Sequence, residues 1–71
     1  MYRIELKKNN LYHFYVKNEA VGRNFHYKAK YIGENNRIMQ VFDLKTNDFV
    51  IFPISDIENI YPCEVVENAK Q

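Results

Sequence analysis

The chain has 71 residues, of which 46% are hydrophobic and 15% aromatic, and its formal net charge is +1. This composition favours one small folded domain over a disordered chain, because aromatic and β-branched residues are plentiful and the net charge is low. The single cysteine, Cys63, excludes an internal disulfide and a zinc site made of several cysteines. The sequence shows no apolar core of a signal peptide and no run of the ~18 apolar residues that a membrane span needs. We therefore expect a cytoplasmic protein that does not enter membranes.

The first half of the chain alternates apolar and polar residues in three places. Residues 2–6 and 11–16 each predict a half-buried strand, and the polar residues 7–10 between them predict the turn of a hairpin. Residues 18–24 form the longest break. Residues 25–32 alternate again and predict a third strand, which is followed by a turn at residues 33–36.

The next segment, residues 37–44, is apolar on both of its alternating faces. Ile38 and Phe42 fall on one face, and Met39 and Val41 fall on the other. Strict alternation fails here, so the sequence predicts a bulge or a strand that is covered on both sides.

The remaining residues predict two strands separated by a short helix. Residues 49–54 predict a strand that tolerates Pro53 at its margin. Residues 55–58 then fit a capping box, in which Ser55 caps a single helical turn and Glu58 reaches back to it. Residues 63–66 predict a last short strand.

The order of these elements is similar to that of Src-homology-3-like barrels. Residues 51–60 resemble the apolar, proline, serine, polar, apolar close of those domains, although tryptophan is absent and binding of proline-rich peptides is not expected. Phe42-Asp43 followed by Asn47 resembles the first motif of Sm-like barrels. Both resemblances imply an all-β fold, a small Src-homology-3-like barrel of five or six antiparallel strands with a one-turn helix before the last strand. We expect this single domain to span residues 1–66, with a flexible tail at residues 67–71.

The sequence does not predict an enzyme. Ser55 is the only serine and is explained as a helix cap, and Gly22 and Gly33 are isolated, so neither belongs to a phosphate-binding loop. His13 and His26 are the only histidines, and two residues do not define a metal site. We expect no cofactor, no metal and no small-molecule substrate.

Charge is segregated along the chain. Residues 1–40 carry a net charge of +5, and residues 41–71 carry −4. Part of the basic half is focused, because His26, Lys28 and Lys30 share one face of the predicted strand at residues 25–32. The candidate binding residues are Arg23, His26, Lys28, Lys30, Arg37, Tyr12 and Tyr15.

Two functional interpretations remain open. The first is a non-enzymatic binding module that docks to a protein partner or to itself, since oppositely charged halves and a surplus apolar strand face both suit an interface. The alternative is binding of single-stranded RNA or DNA through the basic strand face, where cations contact phosphates and rings stack on bases. Lysines that only solvate a strand are the simpler explanation of that face. The codon bias implied by abundant Asn, Lys and Ile indicates an AT-rich bacterial or phage genome, which suits a prophage accessory protein.

Overall fold

The computed structural model describes residues 4–18, 20 and 22–63, and their five strands form one antiparallel sheet. In chain order these elements are β1 (Leu11–Asn18), β2 (Arg23–Glu34), β3 (Ile38–Asp43), β4 (Asp48–Pro53), a 3₁₀ turn (Ile54–Asp56) and β5 (Ile57–Pro62). The strands lie in the order β4-β3-β2-β1-β5, so β1 to β4 form a meander and β5 returns to pair with β1. The predicted all-β, barrel-like domain with a one-turn helix before its last strand is confirmed. None of the helical residues in this part of the chain forms a segment that could cross a membrane.

Strand β1 is paired on both of its edges, with β2 on one side and β5 on the other. Phe14 lies opposite Tyr27 of β2 and also opposite Ile60 of β5. The predicted alternation is confirmed, since Tyr12, Phe14 and Val16 are buried on one face of the sheet. We call this the inner face, and the opposite side of the sheet the outer face.

The core lies on the inner face and is dominated by residues from β1, β3, β4 and β5. Phe14, Met39 and Val41 are the largest side chains with no exposed surface. The Phe14 ring packs against Phe52, with ring centroids 5.9 Å apart, and meets Tyr12 edge-on at 6.1 Å. Close packing of these rings ties β1 to β4, although the two strands are not neighbours in the sheet.

The expected bulge lies in β2, the strand that pairs with β3, and not in β3 itself. The register between β2 and β3 shifts between Tyr31 and Gly33, whereas β3 pairs with β4 without interruption. The irregularity therefore falls on the longer strand, β2, as an extra residue that bends the chain. Met39 and Val41 point to the inner face and Phe42 is only partly covered on the outer face.

The predicted N-terminal strand is wrong where it can be compared with the structure. Residues 1–3 lie outside the described part, and residues 4–6 are not in a strand. Ile4 and Leu6 instead pack against the core as side chains, and the backbone N–H of Lys7 donates to the Tyr12 hydroxyl over 2.8 Å. No free β1 edge is available for the predicted hairpin, because β2 and β5 occupy both.

The predicted capping box and last strand are also corrected. Ser55 lies inside the 3₁₀ turn, whose N-terminal cap is Pro53 with no side-chain hydrogen bond, and Glu58 belongs to β5. The turn is too short for a box and is closed by the backbone N–H of Ile57, which donates to the Ile54 carbonyl. The last described strand thus begins at Ile57 and not at residue 63. Residues 64–71, which contain the rest of the predicted strand and the predicted tail, lie outside the described residues.

Candidate functional site

The outer face of the sheet carries two different surfaces. Successive side chains of a strand point to opposite faces, so each strand contributes every second residue to the outer face. On β3 and β4 these residues are mainly apolar. On β5, β1 and β2 they are mainly aromatic and basic.

The surface on β3 and β4, the apolar strip, consists of Ile38, Phe42, Leu44, Phe49 and Ile51. Phe49 is 61% exposed and Ile51 is 57% exposed, and Ile38 and Leu44 are also exposed. Phe42 lies opposite Phe49 across the two strands, and their rings meet edge-on with centroids 5.0 Å apart. Gln40 lies between Ile38 and Phe42 on the same face and opposite Ile51, so the strip is a mainly apolar surface interrupted by one amide, with its Phe42–Phe49 pair held by a cross-strand contact.

The turn between β3 and β4 fixes the geometry of the strip. Asp43 is buried, and its carboxylate accepts hydrogen bonds from the backbone N–H of Lys45 over 3.0 Å and from the Thr46 hydroxyl over 3.2 Å. Asn47 adopts a positive φ of 63°, and its N–H donates to the Asp43 carbonyl over 2.8 Å. Asp43 and Asn47, the residues that resemble the Sm motif, thus shape this turn.

The second surface is a cluster of rings on β1, β2 and β5, which we call the aromatic cluster: His13, Tyr15, His26 and Tyr61. His26 stacks on Tyr15 with ring centroids 4.8 Å apart and lies beside His13, nearly in the same plane, at 5.1 Å. Tyr61 meets Tyr15 edge-on at 5.8 Å. The register explains the cluster, because Tyr15 lies opposite His26 and His13 lies opposite Tyr61.

Basic side chains border the aromatic cluster on its β2 side. Lys28 lies opposite His13 in the β1–β2 ladder and is exposed. An open groove of about 460 Å³ runs beside it and is lined by His26, Lys28, Asp43, Leu44 and Lys45. The turn after β3 therefore brings Lys45 next to the outer face of β2.

The structure brings only part of the predicted set together. His26, Lys28, Lys30 and Tyr15 all lie on the outer face, as their alternation along β1 and β2 predicts. Tyr12 lies on the inner face and is buried in the core, so its ring is not beside the lysines.

The two arginines of the predicted set lie beyond the row of outer-face lysines. Arg23 begins β2, whereas Arg37 follows its other end, after the turn at residues 35–36. Arg37 lines a separate cavity of about 930 Å³ together with Pro53 and Ile57. Neither arginine thus extends the row of basic residues on the outer face of β2, which is centred on Lys28.

Sequence reasoning missed His13, Tyr61 and Lys45 as members of this surface. The alternation of β1 already placed His13 beside Tyr15, which was a usable signal. Tyr61 and Lys45 depend on long-range pairing of β5 with β1 and on the path of the β3–β4 turn. Among residues 4–18, 20 and 22–63, no group of three or more His, Cys, Asp or Glu side chains comes close enough to hold a metal ion.

Comparisons of the chain with family models, with curated proteins and with solved structures each found no match.

Proposed function

We propose that this protein is a non-enzymatic docking module that binds a second copy of itself through the apolar strip. The observation that supports this proposal is the exposure of Phe49 and Ile51, each of which leaves more than half of its surface in water. Removing apolar surface from water is favourable by about 25 cal/mol per Å². Two such strips facing each other bury the same side chains on both copies.

The charges at the two ends of the strip favour a second copy as the occupant. Arg37 precedes Ile38 at one end, and Asp48 precedes Phe49 at the other; both charged residues are exposed. Asp48 pairs with the buried Asp43 and so starts from the inner-face side of the sheet, at the edge of the strip. In a twofold dimer whose strips lie face to face and antiparallel, the end that carries Arg37 on one copy lies over the end that carries Asp48 on the other. An interface of this type is self-complementary, because the same patch serves on both sides.

The size of the strip indicates a weak dimer. The strip covers one face of two strands of six residues, which is roughly 20 Å long and 10 Å wide. A stable interface usually buries about 800 Å² on each partner. We therefore expect an equilibrium between monomer and dimer that depends on protein concentration.

Sedimentation velocity over a wide range of protein concentration tests the proposal. The double variant Phe49→Thr/Ile51→Thr keeps β-branched residues on the strand and should remain monomeric where the wild type dimerises. Tyr61→Thr, which removes a similarly exposed ring from another part of the sheet, is the matched control and should dimerise like the wild type. Far-UV circular dichroism and urea midpoints verify that the variants are folded.

A charge swap tests the antiparallel arrangement separately. Asp48→Lys should weaken the dimer by placing like charges together, and adding Arg37→Glu should restore it. A wild-type protein that stays monomeric at every concentration would overturn self-association and leave the strip for a different protein. A dimer that survives the threonine substitutions would rule out this surface as its interface.

A further inference from the structure

We propose that the aromatic cluster, with Lys28, Lys30 and Lys45, is a binding site for single-stranded nucleic acid. This site adjoins the apolar strip, because Leu44 lines the groove beside Lys28 and Lys30 lies opposite Phe42, but the inference does not depend on self-association. The ligand that fits this surface is a flexible chain of planar bases joined by phosphates. Proteins hold such chains by stacking bases on aromatic side chains while cations contact the backbone.

The rings form an unbroken series across three strands. His13 contacts His26, His26 contacts Tyr15, and Tyr15 contacts Tyr61, with ring centroids between 4.8 and 5.8 Å apart. These rings come from adjacent strands of one sheet, so the backbone ladder fixes their spacing. A base that stacks on one of them meets a preorganised surface, which reduces the cost of ordering side chains on binding.

The cluster is open to solvent. Tyr61 is 52% exposed, and His26 is exposed as well. His13 and Tyr15 are half-buried, and they owe this cover partly to the other rings of the cluster. Aromatic rings held at the surface without contributing to the core are available to stack on a ligand.

Cations lie where a phosphate backbone needs them. Lys28 and Lys30 are consecutive outer-face residues of β2, about 7 Å apart along the strand. Lys45 adds a third cation from the β3–β4 turn, across the groove that it shares with Lys28 and His26.

Two carboxylates near this face are already engaged. Asp43 lines the groove, but its two oxygens accept the hydrogen bonds of the turn from Lys45 and Thr46. Glu58 lies 3.6 Å from the ammonium of Lys17. Asp43 keeps its negative charge in these hydrogen bonds, but Lys28, Lys30 and Lys45 outnumber it, so the local balance of charge beside the rings is positive, although the whole chain carries only +1.

A single strand suits this surface better than a duplex does. The rings lie on the face of a sheet, and the bases of a duplex are stacked on each other and cannot lie flat on them. In a single strand every base has a free π-face, so stacking tolerates any sequence. RNA and DNA both satisfy these requirements.

Fluorescence anisotropy with labelled oligothymidylate and oligouridylate of about 12 nucleotides tests the site. We expect binding at about 20 mM salt that weakens as salt rises, with a log–log slope near −2 if three phosphates are contacted. Tyr61→Leu should weaken binding about tenfold by removing one stacking ring. Lys28→Gln should reduce the magnitude of the slope by about 0.7.

A matched control separates this site from general electrostatic attraction. Lys8→Gln removes an exposed lysine from the turn before β1 and should bind like the wild type. Absence of binding at low salt, or a Tyr61→Leu variant that binds with wild-type affinity, would overturn the proposal. Equal affinity for heparin, or for a DNA duplex of the same length, would also overturn it, since any polyanion would then suffice.

Discussion

The Nδ1 atom of His13 lies 2.9 Å from the Nε2 atom of His26, and the two imidazole rings are 19° from parallel. A hydrogen bond between two ring nitrogens needs one nitrogen that carries a proton and one that does not. The contact therefore couples the tautomer of one histidine to that of the other. It also holds the two rings at one end of the aromatic cluster.

This coupling predicts that the two neutral rings share the same tautomer, either both Nδ1–H or both Nε2–H. Long-range ¹H–¹⁵N correlation spectra of the histidines should show one protonated and one unprotonated nitrogen at the contact. His13→Phe should keep a ring at the position while releasing His26, whose two tautomers then mix. Opposite tautomers on the two rings of the wild type would contradict the observed bond.

Phe14 is expected to dominate the stability of the core. Its side chain has no exposed surface and contacts the rings of Tyr12 and Phe52. Removing a buried Phe ring costs about 3–5 kcal/mol, which is close to the whole stability that a core of this size supplies. We expect Phe14→Ala to be unfolded, and Phe14→Leu to be folded but clearly destabilised, as measured by urea unfolding.

Phe49 supplies the matched control for that experiment. It is the same residue type, but 61% of its surface is exposed. Phe49→Ala should change the free energy of unfolding by only about 0.5 kcal/mol, as is usual for surface substitutions. A cost as large as that of Phe14→Leu would mean that the ring of Phe49 is covered in the folded monomer.

Asp43 is expected to stabilise the β3–β4 turn. Its buried carboxylate accepts hydrogen bonds from Lys45 and Thr46, and bonds to a charged group contribute about 1.5–3 kcal/mol. Asp43→Ala should therefore lower the free energy of unfolding by about 2 kcal/mol, and Asp43→Asn by less, because one oxygen remains as an acceptor. Asp48→Asn, at the exposed end of the same hairpin, should leave the urea midpoint nearly unchanged. Equal effects of Asp43→Ala and Asp48→Asn would argue against the turn network.

The raised pKa of Tyr31 leads us to expect a specific loss of stability at alkaline pH. Burial raises its pKa to about 12, and the hydrogen bond from its hydroxyl to Glu34, 2.9 Å long, acts in the same direction. The folded state thus holds this proton more tightly than the unfolded state, where the pKa is near 10. The contribution is complete below pH 10 and is lost as the pH rises from about 10 to about 12.

The variant Tyr31→Phe isolates this effect from other groups that titrate at high pH. Lysines titrate in the same range in both proteins, so only the difference between them reports on Tyr31. Urea midpoints of the wild type should fall more steeply than those of Tyr31→Phe above about pH 10. Parallel curves would contradict the raised pKa, and absorbance titration of the phenolates supplies a second, direct measurement.

The parts of the fold that follow from local patterns could be predicted. β1 and β2 alternate cleanly, because each buries one face against the core, and their two faces were separated correctly from sequence. Tyr12 is the exception in use, since it was expected beside the lysines and is buried in the core. The sequence also indicated an exposed apolar face on β3, because that strand is apolar on both faces and a sheet buries only one of them against its core. Predicting that the apolar strip extends over β4 would have required knowledge of the register, which places Phe42 opposite Phe49.

The errors arose where a sequence pattern is present without the backbone structure that it usually indicates. Ile4 and Leu6 alternate like a strand, yet they contribute side chains to the core from a segment with no ladder. Ser55 and Glu58 have the spacing of a capping box, but the chain returns to a strand after three residues of 3₁₀ turn. Tyr61 could not be placed beside Tyr15 from local sequence, because that contact depends on pairing between β1 and β5.

The pairing of β1 with β5 also has a consequence for how the protein folds. The register joins Phe14 to Ile60, whereas the β1–β2, β2–β3 and β3–β4 hairpins join residues that are near in sequence. Closing such a distant contact is slow, because the entropy of the long intervening loop is lost before the contact forms. Until β5 arrives, one edge of β1 has no partner, and an open edge can recruit a strand from another chain. A strand that is paired on both sides in the finished sheet is thus an exposed edge in the unfinished one.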